Sequence, residues 1–414
     1  MTAPSRDDAP DDDSRFAGRS TRAIVDLDAI ACNLAIFRRL VTPTTRLMAV
    51  VKANAYGHGA RMVAATALAS GATHLAVATV EEGVQLRRAN VTAPILVLGP
   101  IDASEIASAL TARLTLAVAD PGFVDAIAAA SGSCGPASVH LKIDTGMRRF
   151  GALPGGAADL AAQIASLPSL RLRGTFTHFA SADESDESAT LRQLAAFERA
   201  VAAIRARGID PGLLHVANSA ATLRSRRYDY DLVRIGISLY GIAPSPAIPL
   251  LPGMRQALTV RSRVRRVISL QRGDRVSYGG TYEAADDELA ALIPLGYADG
   301  YHRRLSNRGC MGVGNATAPV RGRVCMDQTV IGWPANTPIA LNQEVVVVGD
   351  GSDAAPTLAQ LAELAETIPY ELATALATRV PRFYLKQGKV VAVEDLSGLR
   401  QLGQNIRQCN AAAE

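Results

Sequence analysis

The sequence predicts an α/β protein with an N-terminal (β/α)8 barrel and a C-terminal domain that is mainly β. Between residues 21 and 243, short runs rich in β-branched residues alternate with amphipathic helical patterns, as in parallel strands joined by helices. After Pro252 the pattern changes to strands with one polar face. A length of 414 residues also favours two domains over a single core.

Eight strands are predicted in the first domain, at residues 46–51, 75–77, 95–98, 114–118, 139–143, 172–176, 213–216 and 232–235. The segments between them carry apolar residues on one helical face, for example Ile30, Leu34 and Phe37. An open doubly wound sheet is the alternative arrangement. No G-x-G-x-x-G follows the first strand, which weakens the dinucleotide-binding version of that alternative.

The second domain is predicted from alternating apolar and polar residues. Strands are expected at 258–264, 344–348 and 389–393, with one helix near 358–366. The full division is a disordered acidic tail over 1–20, the barrel over 21–250, the β domain over 251–398 and a frayed tail over 399–414.

Composition excludes several classes of protein. A net charge of +4 without a block of basic residues argues against nucleic-acid binding. Five scattered cysteines without a C-x-x-C pair predict neither a metal site nor a disulfide framework, and they favour a cytoplasmic protein. No apolar stretch is long enough to cross a membrane, and no signal peptide is recognisable.

Residues that could carry chemistry follow the predicted barrel strands, where barrels place their active sites. Lys52 follows the first strand, and burial there would lower its pKa and make it a Schiff-base former or a proton acceptor. An ordinary surface lysine is the alternative. Arg148 and Arg149 lie in a glycine-bounded loop and could bind a carboxylate, although the sequence leaves open which one turns inward.

The ends of the later strands carry a histidine and several residues that could bind an anion. His178 could stack on a flat ring or move protons, or it could be structural. Asn218 and Ser219 open a helix and could bind a phosphate or simply cap that helix. Arg234 and Gly236 end the last strand, where glycine lets backbone N–H groups approach an anion. A lysine, a phosphate site and an arginine at one barrel mouth suit a phosphorylated aldehyde cofactor with an amino-acid substrate.

The motifs in their order resemble the alanine racemases, over about residues 21–395. The matching stretches are Ala49–Gly59, Lys142–Arg149, Thr177–Ala180, His215–Ser219, Val233–Ile237, Ser277–Gly279, Gly296–Gly300, Arg323–Asp327 and Tyr370–Glu371. The resemblance implies pyridoxal 5'-phosphate as cofactor, a homodimer with shared active sites, and alanine as substrate. It also implies conversion between L- and D-alanine, either for the bacterial cell wall or for alanine catabolism.

The resemblance also implies a role for each matching residue. Lys52 would bind the cofactor's aldehyde as an aldimine and act as one catalytic base, and Tyr278 of the other subunit would act as the opposite base. Cofactor binding would involve Tyr56, His178, Asn218, Ser219, Arg234, Gly236, Ile237 and Tyr370. The substrate would contact Arg149, Met326 and Tyr297, with support from Lys142, His215 and Asp327.

Two of these residues carry further expectations. Arginine does not give up its proton, so the pyridine nitrogen facing Arg234 should stay unprotonated. Lys142 lies inside a strand, where an unpaired cation is costly. The resemblance implies a carbamate at that lysine, which would replace the cation with an anion able to orient Arg149.

Three alternatives remain for the activity. A racemase of the same fold could accept larger substrates such as serine, although Tyr297 and Tyr370 favour a methyl-sized side chain. A decarboxylase with the same cofactor would need an acid or thiol in place of Tyr278. A non-catalytic protein that binds the cofactor would lack the β domain that carries Tyr278 and Met326.

Overall fold

The computed structural model describes residues 19–132 and 135–402. The predicted acidic tail therefore lies outside the described residues except for Arg19 and Ser20. The same holds for the predicted C-terminal tail beyond residue 402, whereas Gly398–Gln401 form a strand. No helix among the residues described is long and apolar enough to span a lipid bilayer.

The described segments form 21 strands and 11 helical segments, of which α2 is a left-handed turn. The strands are β1 (Arg22–Asp26), β2 (Arg46–Val50), β3 (His74–Val77), β4 (Ile95–Val97), β5 (Thr115–Val118), β6 (Ala137–Lys142), β7 (Leu170–Phe176), β8 (Leu213–His215), β9 (Leu232–Ile235), β10 (Leu258–Arg263), β11 (Arg266–Leu270), β12 (Arg275–Val276), β13 (Tyr282–Glu283), β14 (Glu288–Ile293), β15 (Cys310–Val313), β16 (Ala316–Pro319), β17 (Thr329–Gly332), β18 (Glu344–Val348), β19 (Arg382–Lys386), β20 (Lys389–Asp395) and β21 (Gly398–Gln401). The helices are α1 (Leu27–Leu40), α2 (Lys52–Tyr56), α3 (Ala60–Ala69), α4 (Val80–Arg88), α5 (Ile106–Thr111), α6 (Pro121–Ala130), α7 (Ala157–Ser166), α8 (Ser188–Ala206), α9 (Ser219–Arg224), α10 (Leu358–Leu364) and α11 (Pro369–Ala375).

Strands β2 to β9 form a parallel barrel in the order β8-β7-β6-β5-β4-β3-β2-β9. The sheet closes between β8 and β9, where Asp231 N and Arg234 N each donate to carbonyls of the neighbouring segment at 3.1 Å. Each predicted barrel strand overlaps an observed one, so the (β/α)8 prediction is confirmed and the open sheet is excluded. Strands β3, β4 and β9 are almost fully buried, because helices cover the outside and side chains fill the inside.

The β domain is built on an eight-stranded sheet with the order β16-β15-β18-β10-β1-β19-β20-β21. A three-stranded sheet, β11-β14-β17, and the β12–β13 hairpin complete it. The predicted strands at 258–264, 344–348 and 389–393 and the predicted helix at 358–366 are all present. The mainly-β second domain is therefore confirmed.

Strand β1 was not predicted, and it joins the β domain. It runs antiparallel to β10 and parallel to β19, whose residues lie more than two hundred positions away in sequence. Its side chains alternate between buried and half-buried, with Ala23 and Val25 in the core. The chain therefore contributes a strand to the β domain before helix α1 leads into the barrel; the other domain limits stay predictions.

The β domain contacts the barrel directly behind the end of β2. Arg382 Nε donates to the carbonyl of Gly57 at 2.7 Å, and the carbonyl of Ala373 in α11 lies against the same glycine. A Cβ atom on Gly57 would come within 2.0 Å of that carbonyl oxygen, and the glycine has a φ of +81°. Only glycine therefore fits at this contact, which fixes the loop after β2 relative to the second domain.

Candidate active site

A cavity of about 320 Å³ opens at the carboxyl ends of the barrel strands. It brings together most of the site residues predicted from the sequence, namely Lys52, Tyr56, Lys142, Arg149, His178, Asn218, Ser219, Arg234, Gly236, Ile237 and Tyr370. Phe176 of β7 contributes to the lining as well. Six different strand ends contribute to this one cavity, as the barrel architecture requires.

A larger groove of about 1180 Å³ lies between β1, β10 and the segment after Tyr240. Among the residues that the structure describes, its lining includes Asp26, Arg255 and Arg261 but neither lysine nor histidine. It therefore offers no group that exchanges protons easily near neutral pH. The smaller cavity at the barrel mouth is the better candidate for chemistry, because it contains two lysines and a histidine.

Lys52 begins a left-handed helical turn, which is rare for residues other than glycine. Ala53, Asn54, Ala55 and Tyr56 have φ values of 51° to 54°. The left-handed conformation costs about 1–2 kcal/mol per residue, so surrounding contacts must hold the turn. Backbone hydrogen bonds from Ala55 N to the carbonyl before Lys52 and from Gly57 N to Ala53 O, both 2.9 Å, close it. The turn places the side chains of Lys52 and Tyr56 in the same cavity.

Lys52 has a pKa below its ordinary value of 10.5. Burial is the main cause, since it disfavours the charged ammonium, and the positive charge of Arg149 adds to it. The carboxylate of Glu82 acts in the opposite direction. A larger share of the amine is therefore free to react near neutral pH than in an exposed lysine.

Arg234 is buried at the bottom of the cavity and is surrounded by acceptors that carry no negative charge. Its guanidinium donates to the carbonyls of Thr177, His215 and Val216 at 2.8 to 3.1 Å. It also donates to Nδ1 of His215 at 2.9 Å and to Nδ1 of His178 at 3.2 Å. Burial lowers the pKa of Arg234 to about 9, so it remains protonated at neutral pH.

Two buried histidines behind Arg234 have defined tautomers. Because the guanidinium can only donate, Nδ1 of His215 accepts and its proton lies on Nε2. That Nε2 lies 2.9 Å from Nδ1 of His140, which accepts in turn. Burial lowers the pKa of His140 to about 3 and that of His215 well below 6.5, so both rings are neutral. His215 also stacks on Phe176, with the ring centroids 4.6 Å apart.

Lys142 lies in β6 with its amine inside the barrel. In the part of the chain that the structure describes, the amine donates to the carbonyl of Ile143 at 3.1 Å and to no carboxylate. It lies 5.4 Å from the centre of the Phe176 ring. Burial and the nearby Arg234 lower its pKa to about 7, although Asp144 acts in the opposite direction. This buried amine is therefore only partly protonated near neutral pH.

The loop after β6 is folded around the carboxylate of Asp144. That carboxylate accepts hydrogen bonds from the backbone N–H groups of Gly146, Arg148 and Arg149 at 2.9 to 3.1 Å. These bonds lower the pKa of Asp144 in spite of its burial, and they order the loop. Arg149 lines the cavity and Arg148 does not, which answers the question that the paired arginines left open.

A pocket suited to a phosphate lies between the ends of β8 and β9. Gly236 N donates to Oγ of Ser219 at 2.8 Å, and Asn218 caps helix α9 through a 3.0 Å bond to Ala221 N. A Cβ atom on Gly236 would lie 2.9 Å from the hydroxyl of Tyr56 and would fill the pocket. The glycine therefore leaves room for an anion beside two hydroxyl groups.

Two tyrosines close this pocket on the outer side. The rings of Tyr56 and Tyr370 lie 6.2 Å apart, and both line the cavity. Burial raises the pKa of Tyr370 to about 12 and that of Tyr56 further still, so both phenols keep their protons. Protonated phenols donate hydrogen bonds, which suits an anionic oxygen.

Tyr370 is the predicted β-domain residue that lines this cavity in the described chain, and four other predicted β-domain residues lie elsewhere. Tyr278, Met326 and Asp327 border a separate surface pocket, and Tyr297 borders another. Tyr278 is 70% exposed and Met326 is 52% exposed. Both side chains are therefore accessible at the surface of a single chain.

The loops that carry these residues are bonded to each other. Tyr297 N donates to the carbonyl of Cys325 and Ala298 N to that of Met326, both at 3.0 Å. Beneath them, the buried carboxylate of Asp299 pairs with Arg19 and Arg379, and Arg379 also donates to Asp327 at 2.7 Å. The β domain therefore presents Tyr297 and Met326 as one ordered surface.

Sequence reasoning missed two groups in and behind the cavity. His140 lies two residues before Lys142 in the same strand, so both side chains point to one face of β6. That spacing was a usable signal. Phe176 at the end of β7 contacts both His215 and the Lys142 amine, but a phenylalanine in a strand gives no sign of such a position.

Comparison with known proteins gives concordant results. The sequence profile of the alanine racemase N-terminal domain matches residues 25–244, and that of the alanine racemase C-terminal domain matches residues 257–384. The alanine racemase of Symbiobacterium thermophilum is 42% identical over 367 residues, which cover 88% of this chain and 97% of the relative. That of Geobacillus stearothermophilus is 40% identical over 383 residues, which cover 92% of this chain and 97% of the relative.

Solved structures agree with these matches. The alanine racemase from Bacillus anthracis with bound L-Ala-P is similar at a TM-score of 0.86 and 37% identity, covering 91% of this chain and 98% of that one. The alanine racemase of Clostridium difficile is similar at a TM-score of 0.87 and 30% identity, and the match covers 92% of this chain and 99% of that one. The motifs, the fold and these similarities together establish that the chain belongs to the alanine racemase family of isomerases.

Proposed function

We propose that this chain interconverts L- and D-alanine with pyridoxal 5'-phosphate as cofactor. The observation that carries the proposal is the joint cavity of Lys52, Arg234 and the Ser219–Gly236 pocket. In this cavity Lys52 supplies an amine of lowered pKa, and Arg234 supplies a positive charge at the bottom. The Ser219–Gly236 pocket supplies a site for an anion at the side. These three features match the aldehyde, the ring nitrogen and the phosphate of that cofactor.

The residues present fit the cofactor. Ser219, Gly236, Ile237, Tyr56 and Tyr370 would hold its phosphate, because this pocket supplies hydroxyl and N–H donors around a space that a Cβ would fill. Asn218 would support that pocket through its cap of α9. Lys52 would hold the aldehyde carbon covalently. When bound, the cofactor supplies an electron sink that acidifies the Cα–H bond of the amino acid.

Arg234 would face the ring nitrogen of the cofactor and donate a hydrogen bond to it. A guanidinium with a pKa of about 9 keeps its proton at neutral pH, so the nitrogen would not be protonated. Weaker electron withdrawal by the ring favours return of a proton to Cα over transamination. His215 and His140 support this arrangement, because their fixed tautomers keep an acceptor aimed at the guanidinium.

Inversion of the substrate needs two bases on opposite faces of Cα. We propose Lys52 for one face and Tyr278 of the partner subunit for the other. Tyr278 is exposed and lies outside the cavity of its own chain, which supports a role across a dimer interface. Nδ1 of His178 accepts a hydrogen bond from Arg234, so the ring proton lies on Nε2. That N–H could donate a hydrogen bond to a phenolate at Tyr278 and so stabilise its negative charge.

The substrate would be positioned by its carboxylate and limited in size by tyrosines. Arg149 lines the cavity and can make two parallel hydrogen bonds to a carboxylate, and the Met326 backbone of the partner would add another. Tyr370 from the same chain and Tyr297 from the partner would leave room for a methyl group. These assignments follow the family resemblance and the exposure of the β-domain loops.

We further propose that Lys142 is carbamylated. Its buried amine has a pKa of about 7, so much of it is uncharged at neutral pH and able to add carbon dioxide. In that step the nitrogen lone pair forms a bond to the carbon of CO2 and one proton leaves the nitrogen. The resulting anion would lie beside Arg149 and Arg234, whose charges already act on the amine.

The test uses purified protein with pyridoxal phosphate and an assay that detects D-alanine formed from L-alanine. Lys52→Ala should abolish the visible absorption band of the lysine-bound cofactor and nearly all racemisation. L-serine and L-lysine should turn over far more slowly than L-alanine. Comparable turnover of L-serine would contradict alanine as the substrate, and an active Lys52→Ala variant would remove Lys52 from its role.

A further inference from the structure

The left-handed turn after β2 needs a contact that keeps it in place. Residues 53–56 all occupy the left-handed region, although two of them are alanines with no intrinsic preference for it. The turn sets the direction of both Lys52 and Tyr56 toward the cavity. A group that holds the turn therefore controls how these two side chains are presented.

Glu82 of helix α4 is bonded to this turn. Its Oε1 accepts the N–H of Ala53 at 2.6 Å, and Ala53 directly follows Lys52. Its Oε2 accepts the N–H of Ala78 at 2.7 Å, at the end of β3. Strands β2 and β3 are neighbours in the barrel, so one carboxylate joins the carboxyl ends of two adjacent strands.

Glu82 also has an ordinary structural role, which must be separated from this one. It belongs to a capping box in which Thr79 Oγ1 accepts from Glu82 N at 3.3 Å, while the carboxylate accepts from Thr79 N at 3.4 Å. These contacts are longer than the bond to Ala53 and involve only α4. The bond to Ala53 has no part in capping that helix.

We propose that Glu82 is a positioning residue that holds the left-handed turn, so that Lys52 and Tyr56 both enter the cavity. This inference rests on the proposed function of Lys52. The electrostatics agree with the geometry, because the Glu82 carboxylate raises the pKa of Lys52 against the effects of burial and Arg149. Glu82 therefore acts on Lys52 in two ways: through its hydrogen bond to the Ala53 backbone and through the negative charge of its carboxylate.

The test compares Glu82→Gln with Thr79→Ala in the full-length protein loaded with pyridoxal phosphate. Thr79→Ala removes the cap of α4 and leaves the bond to Ala53, so it is the matched control. The readouts are the dissociation constant of the cofactor, followed by its visible absorption, and kcat and KM for L-alanine. Circular dichroism and gel filtration show whether each variant is folded.

Glu82→Gln should weaken cofactor binding about ten-fold and lower kcat about ten-fold or more, because a neutral amide has one acceptor oxygen and cannot accept from both Ala53 N and Ala78 N. KM for L-alanine should change much less. Thr79→Ala should stay within about two-fold of the wild type in all three constants, with only a lower melting temperature.

Ala53→Gly provides a rescue, because glycine adopts the left-handed conformation without strain. Added to Glu82→Gln, it should restore most of the cofactor affinity and kcat. It also covers the case in which Glu82→Gln alone does not fold, since the double variant should then fold and bind the cofactor. Failure of the double variant to recover would contradict the inference.

Two results separate this inference from the proposed function. A wild type that neither binds the cofactor through Lys52 nor racemises alanine would refute the proposed function itself. An active wild type in which Glu82→Gln behaves like Thr79→Ala would refute only the role of Glu82.

Discussion

Replacing Lys142 with methionine should make the protein more stable in acid, which is an unusual outcome for a change inside a barrel. In the described structure the buried amine has no carboxylate partner and makes one hydrogen bond, to Ile143 O. Its pKa falls from 10.5 in the unfolded chain to about 7 in the folded protein. Between these values the unfolded chain binds more protons than the folded one, so unfolding free energy rises with pH across that window.

The size of the effect follows from the two pKa values. Below about pH 7 the Lys142 amine is protonated in both the folded and the unfolded state. The folded protein then bears the full free-energy cost of burying this charged amine, about 5 kcal/mol. At about pH 9.5 only about 1 kcal/mol of the penalty remains. Methionine removes the penalty and leaves the Ile143 carbonyl without its donor, which costs about 1 kcal/mol. Lys142→Met should therefore gain about 4 kcal/mol at about pH 6 and almost nothing at about pH 9.5.

The assay is denaturant unfolding of wild type and Lys142→Met at both pH values, in buffer freed of carbon dioxide so that no carbamate forms. Lys386→Met is the matched control, since Lys386 is exposed and its replacement should change the free energy by less than about 0.5 kcal/mol. A Lys142→Met variant that is less stable than wild type at about pH 6 would refute the reasoning. A difference that does not depend on pH would refute it as well.

Three further changes test other parts of the account. Gly236→Ala should weaken binding of pyridoxal phosphate about ten-fold, because the new methyl group would lie 2.9 Å from the Tyr56 hydroxyl in the phosphate pocket. Pyridoxal, which lacks the phosphate, should bind equally well to both proteins; equal loss for the two ligands would contradict the assignment. Gly57→Ala should lower the free energy of unfolding by about 3 kcal/mol, since the residue has a φ of +81° and its Cβ would lie 2.0 Å from the Ala373 carbonyl oxygen of α11. A thermal melt within a degree of wild type would disprove that contact. His140→Leu should cost about 2 kcal/mol in denaturant unfolding, because it leaves the buried Nε2–H of His215 without an acceptor. No loss of stability would show that the histidine pair is not bonded in this way.

Most of the fold could be predicted from the sequence because its strands are local patterns. The eight barrel strands are short apolar runs bounded by helical segments, and each run is visible without knowledge of its partners. Strand β1 is different, since its place depends on pairing with β10 and β19 far along the chain. Its apolar run Ala23–Val25 is visible in the sequence, but the run does not show which sheet the strand joins.

The site was predictable as a set of residues but not as a geometry. Strand ends indicated Lys52, His178 and Arg234, because a parallel barrel gathers its strand ends at one mouth. The left-handed turn after Lys52 could not be foreseen, since alanine prefers the right-handed conformation and the turn's tertiary hydrogen bond to Glu82 is not visible in the sequence. In the proposed dimer the position of Tyr278 relative to Lys52 depends on a second chain, and the assignment of Tyr278 came from the family resemblance.

We propose that each active site combines Lys52 of one subunit with Tyr278 of the other. The direct test is a heterodimer of Lys52→Ala with Tyr278→Phe, purified through two different affinity tags after co-expression. One of its two sites would contain both wild-type residues, so it should racemise alanine at about half the wild-type rate per dimer. Each parent homodimer should be nearly inactive. A heterodimer no more active than its parents would contradict a shared site, because it would place both bases in the same chain.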